Sequence, residues 1–388
     1  MKKIFYFGLF GLLLFEIGNV YFIMPMPGSQ EMNSIDIAYF LYRWRWGFRA
    51  LFIMMFLYGV FKSSWKRLWV PLVSIIIVAV GIYFLNFQMA ADHMFYKTKN
   101  LLMVDVSKNK VDSQRLIIGI ERNGIAKAYP IQYLGYHHQV SDSIAGDPIV
   151  VTYCTVCRTG RVFEPVVKGR YETFRLVGMD HFNAMFEDAT TKSWWQQETG
   201  KAIAGPLKGT ALKELASKQL TLGAWLREYS NSTIMQPDTS FKKDYKDLAG
   251  YDKGTLKSGL EKRDSSSWQP KSWVIGVIHN YAAKAYDWNE LVKNKVINDS
   301  IDDLPIVLAL EKDTASFHVY DRRVNGAELA FQKGSNDLLT DQNTNSTWNL
   351  DGLCIDGSLK GQRLNVVQAY QEFWHSWSTF HPNTTKYD

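Results

Sequence analysis

From Ile117 to Pro130 the chain reads IIGIERNGIAKAYP, and from Val274 to Asp287 it reads VIGVIHNYAAKAYD. These stretches open an ungapped match of Ile117–Pro165 with Val274–Arg322. Ile118-Gly119 stands against Ile275-Gly276, and Ala126-Lys127-Ala128-Tyr129 against Ala283-Lys284-Ala285-Tyr286. Pro148-Ile149-Val150 likewise faces Pro305-Ile306-Val307. After small shifts Trp194 is matched with Trp348, and Gly205–Gly209 with Gly357–Gly361. So many small and aromatic matches in one order mark an internal repeat. Both copies continue into an aromatic amphipathic stretch, Leu222–Tyr229 and Val367–Phe380.

Within a copy, short β-like runs alternate with turn residues. Leu116–Ile120, Ala126–Tyr129, Pro148–Tyr153, Thr173–Val177 and Asn183–Phe186 read as strands, and Pro130–Tyr136 reads as a helical turn. Each copy is therefore expected to be a small strand-rich α+β unit, the two packed as a pseudo-dimer. Copy one runs over 115–238 and a degenerate copy two over 273–388, with a linker or exposed loops at 239–272. The fold class expected is N-terminal transmembrane α-helices followed by a strand-rich α+β domain duplicated in tandem.

Residues 1–90 hold three apolar stretches, Ile4–Met24, Ile37–Phe61 and Leu68–Phe87, each long enough to cross a bilayer. Residues 91–114 connect them to copy one. No small-x-small cleavage site follows the first stretch, and two more stretches do, which argues against a cleaved signal peptide. Lys2 and Lys3 precede the first span, and Lys62, Lys66 and Arg67 fill the loop between the second and third. Positively charged loops stay in the cytoplasm. Three spans then place the rest of the chain outside, in the periplasm of a bacterium whose inner membrane carries the spans. Arg43, Arg45 and Arg49 interrupt the second span beside Trp44 and Trp46. Snorkelling to the outer headgroups accounts for Arg43 and Arg45, and a site for an anionic lipid or ligand is the alternative.

Hydrophobic residues make up 46% of the 388, enough for buried cores. The net charge of +6 is scattered rather than gathered into a basic footprint, so nucleic acid is not an expected partner. The expected partners are the lipid bilayer and other membrane-protein subunits. With only Cys154, Cys157 and Cys354, no disulfide scaffold can carry the fold.

Three motifs point to a family. Ala128-Tyr-Pro-Ile-Gln-Tyr-Leu-Gly-Tyr-His137 and Pro148-Ile-Val-Val-Thr-Tyr-Cys-Thr-Val-Cys157 are two of them. The third is Lys192-Ser-Trp-Trp-Gln-Gln-Glu-Thr-Gly-Lys-Ala-Ile-Ala-Gly-Pro-Leu-Lys-Gly209. Together they resemble the domain of unknown function 3179 family, in a membrane-anchored tandem version, over roughly Arg115–Asp388. The resemblance implies no mechanism. It also shows departures: the family's Cys-Pro-x-Cys-Gly is here Cys154-Thr155-Val156-Cys157-Arg158. The family's His-Pro-Asp-Thr is Ser230-Asn231-Ser232-Thr233 in copy one and His381-Pro382-Asn383-Thr384 in copy two.

Cys154 and Cys157 should occupy the turn after a buried strand, where two thiols can bind one metal ion or close a small disulfide. Copy two carries Glu311 and Thr314 there, and Asn294 opposite His137, so the fold does not need these side chains. With His137 and His181 they would form a Cys2His or Cys2His2 cluster suited to zinc or copper. Alternatively the cysteines are a redox or structural pair, or ordinary packing residues. No hydrolase, metalloprotease, P-loop or dinucleotide signature is present. Three functions follow as expectations: a metal-handling or thiol-redox protein tethered to the membrane, a noncatalytic binding or assembly module serving a membrane complex, or, third, an enzyme of unknown type acting on a soluble substrate.

Overall fold

Three helices open the chain in the computed structural model, which describes residues 1–387. They are α1 (Lys2–Tyr21), α2 (Ile35–Lys62) and α3 (Trp69–Tyr83), the last running on as a π-helical turn over Phe84–Gln88. Glycines let α1 and α2 touch backbone to backbone: a Cβ on Gly8 would collide with Phe56, and one on Gly59 with Phe5. Lys2–Tyr21 and Trp69–Gln88 are long and apolar enough to cross a membrane. The second helix has the length but carries the three arginines, so two helices rather than the expected three meet both criteria among the described residues.

Arg49, the residue that fits an apolar span worst, has a partner. Its guanidinium bonds Glu16 at 2.6 and 2.9 Å and Asn86 Oδ1 at 2.7 Å, while Asn86 Nδ2 donates to Glu16 at 3.0 Å. The cluster ties all three helices together, and Glu16 is 1% exposed. Arg45 instead lies over the Tyr42 ring at 3.9 Å.

These helices form one compact unit, Met1–Tyr96, together with Glu172–Ala211. The latter contributes a four-stranded antiparallel sheet in chain order: Phe174–Asp180, Asn183–Asp188, Trp194–Gln196 and Ala202–Ala204. The Met179 amide donates to the Ile23 carbonyl at 2.8 Å, and the edge of Tyr39 meets Trp194 at 5.1 Å, so the sheet packs on the ends of α1 and α2.

The second unit is Lys97–Tyr171 with Leu212–Asp388. One sheet runs Lys218–Thr221, Leu116–Arg122, Ile125–Pro130, Thr233–Met235, with Met103–Asp105 added at its edge. A second runs Gln139–Ile144, Asp147–Cys154, Thr159–Glu164, Lys213–Glu214. The later residues follow the same orders: Ala369–Phe373, Trp273–His279, Ala282–Asp287, Thr385–Lys386, and then Val296–Ile301, Leu304–Leu310, Phe317–Asp321, Asn365–Val366. In both halves the last strand of the first sheet is parallel to its neighbour. Asn123 and Gly124, at φ 52° and 78°, close the two-residue hairpin that starts the first half.

Local contacts correspond as well. Gly119 leaves no room for a Cβ against Trp225, nor Gly276 against Trp377. Tyr129 donates to Asp142 at 2.6 Å and Tyr286 to Asp299 at 2.8 Å. Each half has its own apolar core, one around Ile118, Tyr129, Val151 and Tyr153, the other around Ile275, Tyr286, Leu308 and Phe373.

Four details differ from the sequence reading. Trp195, not Trp194, corresponds to Trp348: each donates to an aspartate seven residues earlier, Asp188 at 2.9 Å and Asp341 at 3.0 Å. Tyr229, not Ser230, corresponds to His381, each stacking close on the preceding tryptophan. Of the stretch Val367–Phe380 matched with Leu222–Tyr229, only Trp374–Phe380 is helical like Leu222–Glu228, because Ala369–Phe373 pairs with Trp273–Val277. Residues 239–272 are not merely an exposed layer, since Phe241, Tyr245 and Tyr251 are buried and Tyr251 joins the core of the first half.

Candidate functional site

Cys154 ends the strand Asp147–Cys154, and the turn Thr155–Arg158 carries the chain into Thr159–Glu164. The placement expected of the cysteines is therefore found. The helix Ile131–His137 lies against this turn, Gly135 leaving no room for a Cβ beside Thr155. Tyr251 Oη donates to the Thr155 carbonyl at 2.8 Å. The Phe373 amide of the second half donates to the Cys157 carbonyl at 2.9 Å, and Lys271 Nζ of the intervening segment donates to the Val156 carbonyl at 2.7 Å. His375 Nε2 lies 3.0 Å from the same Val156 oxygen.

All three cysteines carry reduced, buried thiols. Cys154 and Cys157 are both 0% exposed, and their side chains hydrogen-bond to each other. Burial, then the neighbouring Cys154, pushes the Cys157 thiol well above its usual range. Burial also lowers the Lys271 ammonium, and burial with the Lys271 charge holds His375 neutral down to about pH 3. An external thiol or disulfide reacts with an accessible thiolate, and this pair offers no access, while burial disfavours the Cys157 thiolate.

His137 Nε2 lies 2.6 Å from Tyr245 Oη, its ring packed edge-on against Phe241 and Tyr136. His181 belongs to the unit of the membrane helices and pairs with Asp180 at 2.7 Å, the hydrogen bond raising its pKa. Among the described residues no group of three or more His, Cys, Asp or Glu side chains is arranged to hold a metal ion. The zinc or copper cluster expected from Cys154, Cys157, His137 and His181 thus has no support in the geometry: His181 is paired with Asp180, and the two thiols bond each other.

The seam between the halves is polar and holds buried charges. Arg161 Nη2 pairs with Glu372 at 2.7 Å, with exposures of 1% and 0%. Its guanidinium also stacks on Tyr370 at 3.4 Å. Gln371 Oε1 accepts from Arg158 Nε at 2.8 Å and from Gln219 Nε2 at 2.7 Å.

Along this seam a cleft of about 660 Å³ opens. Leu116 and Gly223 line it from the first half, Asp252 and Arg263 from the intervening segment, and Trp273 and Ala315 from the second half. Several buried polar atoms on or behind its wall have no hydrogen-bond partner: Arg158 Nη2, Arg263 Nε, Trp273 Nε1, Asp252 Oδ1 and Asp287 Oδ1. Burial raises the Asp252 carboxyl, although Arg115 pairs with it at 3.2 Å. Sequence reading missed the cleft because its walls come from segments far apart in the chain. Its one visible signal was Arg158, standing where the related motif has glycine.

No curated protein and no solved structure matches the chain. The family model of the proteins of unknown function DUF3179 matches residues 99–384, and the chain belongs to that family.

Proposed function

We propose that this chain is a membrane-tethered binding module held outside the cytoplasm, its two halves being tandem copies that enclose a ligand cleft. The cleft carries this reading. It is lined by both halves, and three of its lining residues, Asp252, Arg263 and Trp273, each carry a buried polar atom with no hydrogen-bond partner. The duplication is supported by the shared strand orders and by the matched Tyr129–Asp142 and Tyr286–Asp299 bonds. Tethering is supported by two helices of spanning length and by the Lys2, Lys3 and Lys62–Arg67 charge pattern. The buried, mutually bonded Cys154 and Cys157 favour binding over thiol exchange.

The test uses the full chain in lipid nanodiscs and a metabolite library read by thermal shift. Ligands that raise the Tm of the wild type, but not of Ala315→Trp with the cleft filled, support the reading. If no compound stabilises the wild type, or if Ala315→Trp responds equally, the cleft is not a binding site.

A further inference from the structure

Arg158 sits in the left-handed region at φ 58°, a conformation that costs a residue with a Cβ. It is 1% exposed, and its guanidinium lies 3.8 Å from the centroid of the Trp273 ring. The Arg263 guanidinium lies 4.0 Å from the centroid of the same ring. Two like charges thus share one indole, and after burial the Arg158 charge is the next cause lowering the pKa of Arg263. Among the described residues neither guanidinium has a carboxylate within ion-pair distance. Arg158 Nη2, Arg263 Nε and Trp273 Nε1 remain as unpartnered donors around the ring.

A protein interior keeps such donors only where something accepts from them. Asp252 and Asp287 act on Arg158 and Arg263 only through space, without an ion pair, so three unpartnered donors beside two guanidiniums suit an anion, and a planar carboxylate fits the guanidinium fork. The cleft is far larger than a bare ion requires, and Leu116, Trp288 and Val292 give it apolar wall. Asp252 Oδ1 is an unpartnered acceptor on the same wall and is open to a hydroxyl donor.

Resting on the cleft reading above, we infer that this site recognises a small organic carboxylate. Its carboxylate meets Arg263 and the Trp273 N–H, with the Arg158 charge against the Trp273 ring, its hydroxyl meets Asp252, and its apolar body lies along Trp288 and Val292. The class is thus a hydroxy acid with a hydrocarbon or aromatic body.

Calorimetric titration of the full chain in nanodiscs at neutral pH uses three probes: 3-phenyllactate, its neutral amide, and inorganic phosphate. Saturable binding of 3-phenyllactate is expected, weakened about tenfold or more by Arg263→Gln, which removes one charged donor. Trp273→Phe, which keeps the ring and loses the N–H, should weaken it less. The amide should bind much more weakly than the acid. If acid and amide bind alike and Arg263→Gln changes neither, the anion assignment fails while the cleft remains a binding site. Phosphate binding as tightly as 3-phenyllactate would overturn the organic class. If no probe binds while library compounds still stabilise the wild type through the cleft, the inference fails and the binding-module reading survives. Failure of both overturns both.

Discussion

Gln219 Nε2 donates to Gln371 Oε1 at 2.7 Å, and the two glutamines hold the same position in their respective halves. Gln219 lies opposite Ile118 in its sheet, and Gln371 lies opposite Ile275 in the other. The bond joins the two sheets through side chains that face the same partner position in each.

Gln371 Oε1 also accepts from Arg158, so the two glutamines differ in consequence. Gln371→Leu strands two buried donors, one of them charged, and should cost about 3 kcal/mol. Gln219→Leu leaves the Arg158 bond in place and should cost about 1 kcal/mol. Denaturant unfolding ranks the variants, and a Gln219→Leu loss equal to or above that of Gln371→Leu would refute the shared-acceptor account.

The thiols should be silent in the native chain. At mildly alkaline pH, iodoacetamide should label Cys154 and Cys157 at least about a hundredfold more slowly in nanodiscs than in guanidinium, because labelling must wait for opening. Peptide mass spectrometry gives both rates. Rapid native labelling of either residue would restore the thiol-redox reading.

His138 is 2% exposed, and burial lowers its pKa from 6.5 to about 4. Between those values the unfolded chain binds a proton that the folded chain does not. Stability should therefore fall as pH drops through that window, by at most about 1.4 kcal/mol per pH unit for this residue. Asparagine tolerates the left-handed φ of 59° found here, so His138→Asn should fold and show a shallower acid slope. An unchanged slope between pH 6.5 and 4 would mean that His138 is not a neutral buried group.

The membrane helices offer two linked outcomes. Alkaline phosphatase fused after Asp92 should be active, and an inactive fusion would reverse the proposed orientation. Arg49→Leu leaves Glu16 unpaired among α1, α2 and α3 and should lower the Tm of the full chain. The double variant with Glu16→Leu should recover much of that loss. A double variant no better than the single would show that the ion pair is not what matters there.

The sequence by itself determined the order of the elements. Ile118-Gly119 and Ala126–Tyr129 recur in the second half because each half must place a glycine under a tryptophan and a tyrosine on an aspartate. Alternation and turn chemistry are local, so Leu116–Arg122, Ile125–Pro130 and Asp147–Cys154 were readable from neighbouring residues. Pairing was not. Arg49 read as a misplaced charge until folding set it against Glu16, and Cys154 and Cys157 read as ligands, a redox pair or packing residues alike until their burial was seen. Arg158 is far along the chain from Arg263 and Trp273, and only folding sets both guanidiniums over the one indole. Spacing along a chain does not encode which distant side chains share a desolvated space, and tertiary packing alone decides that.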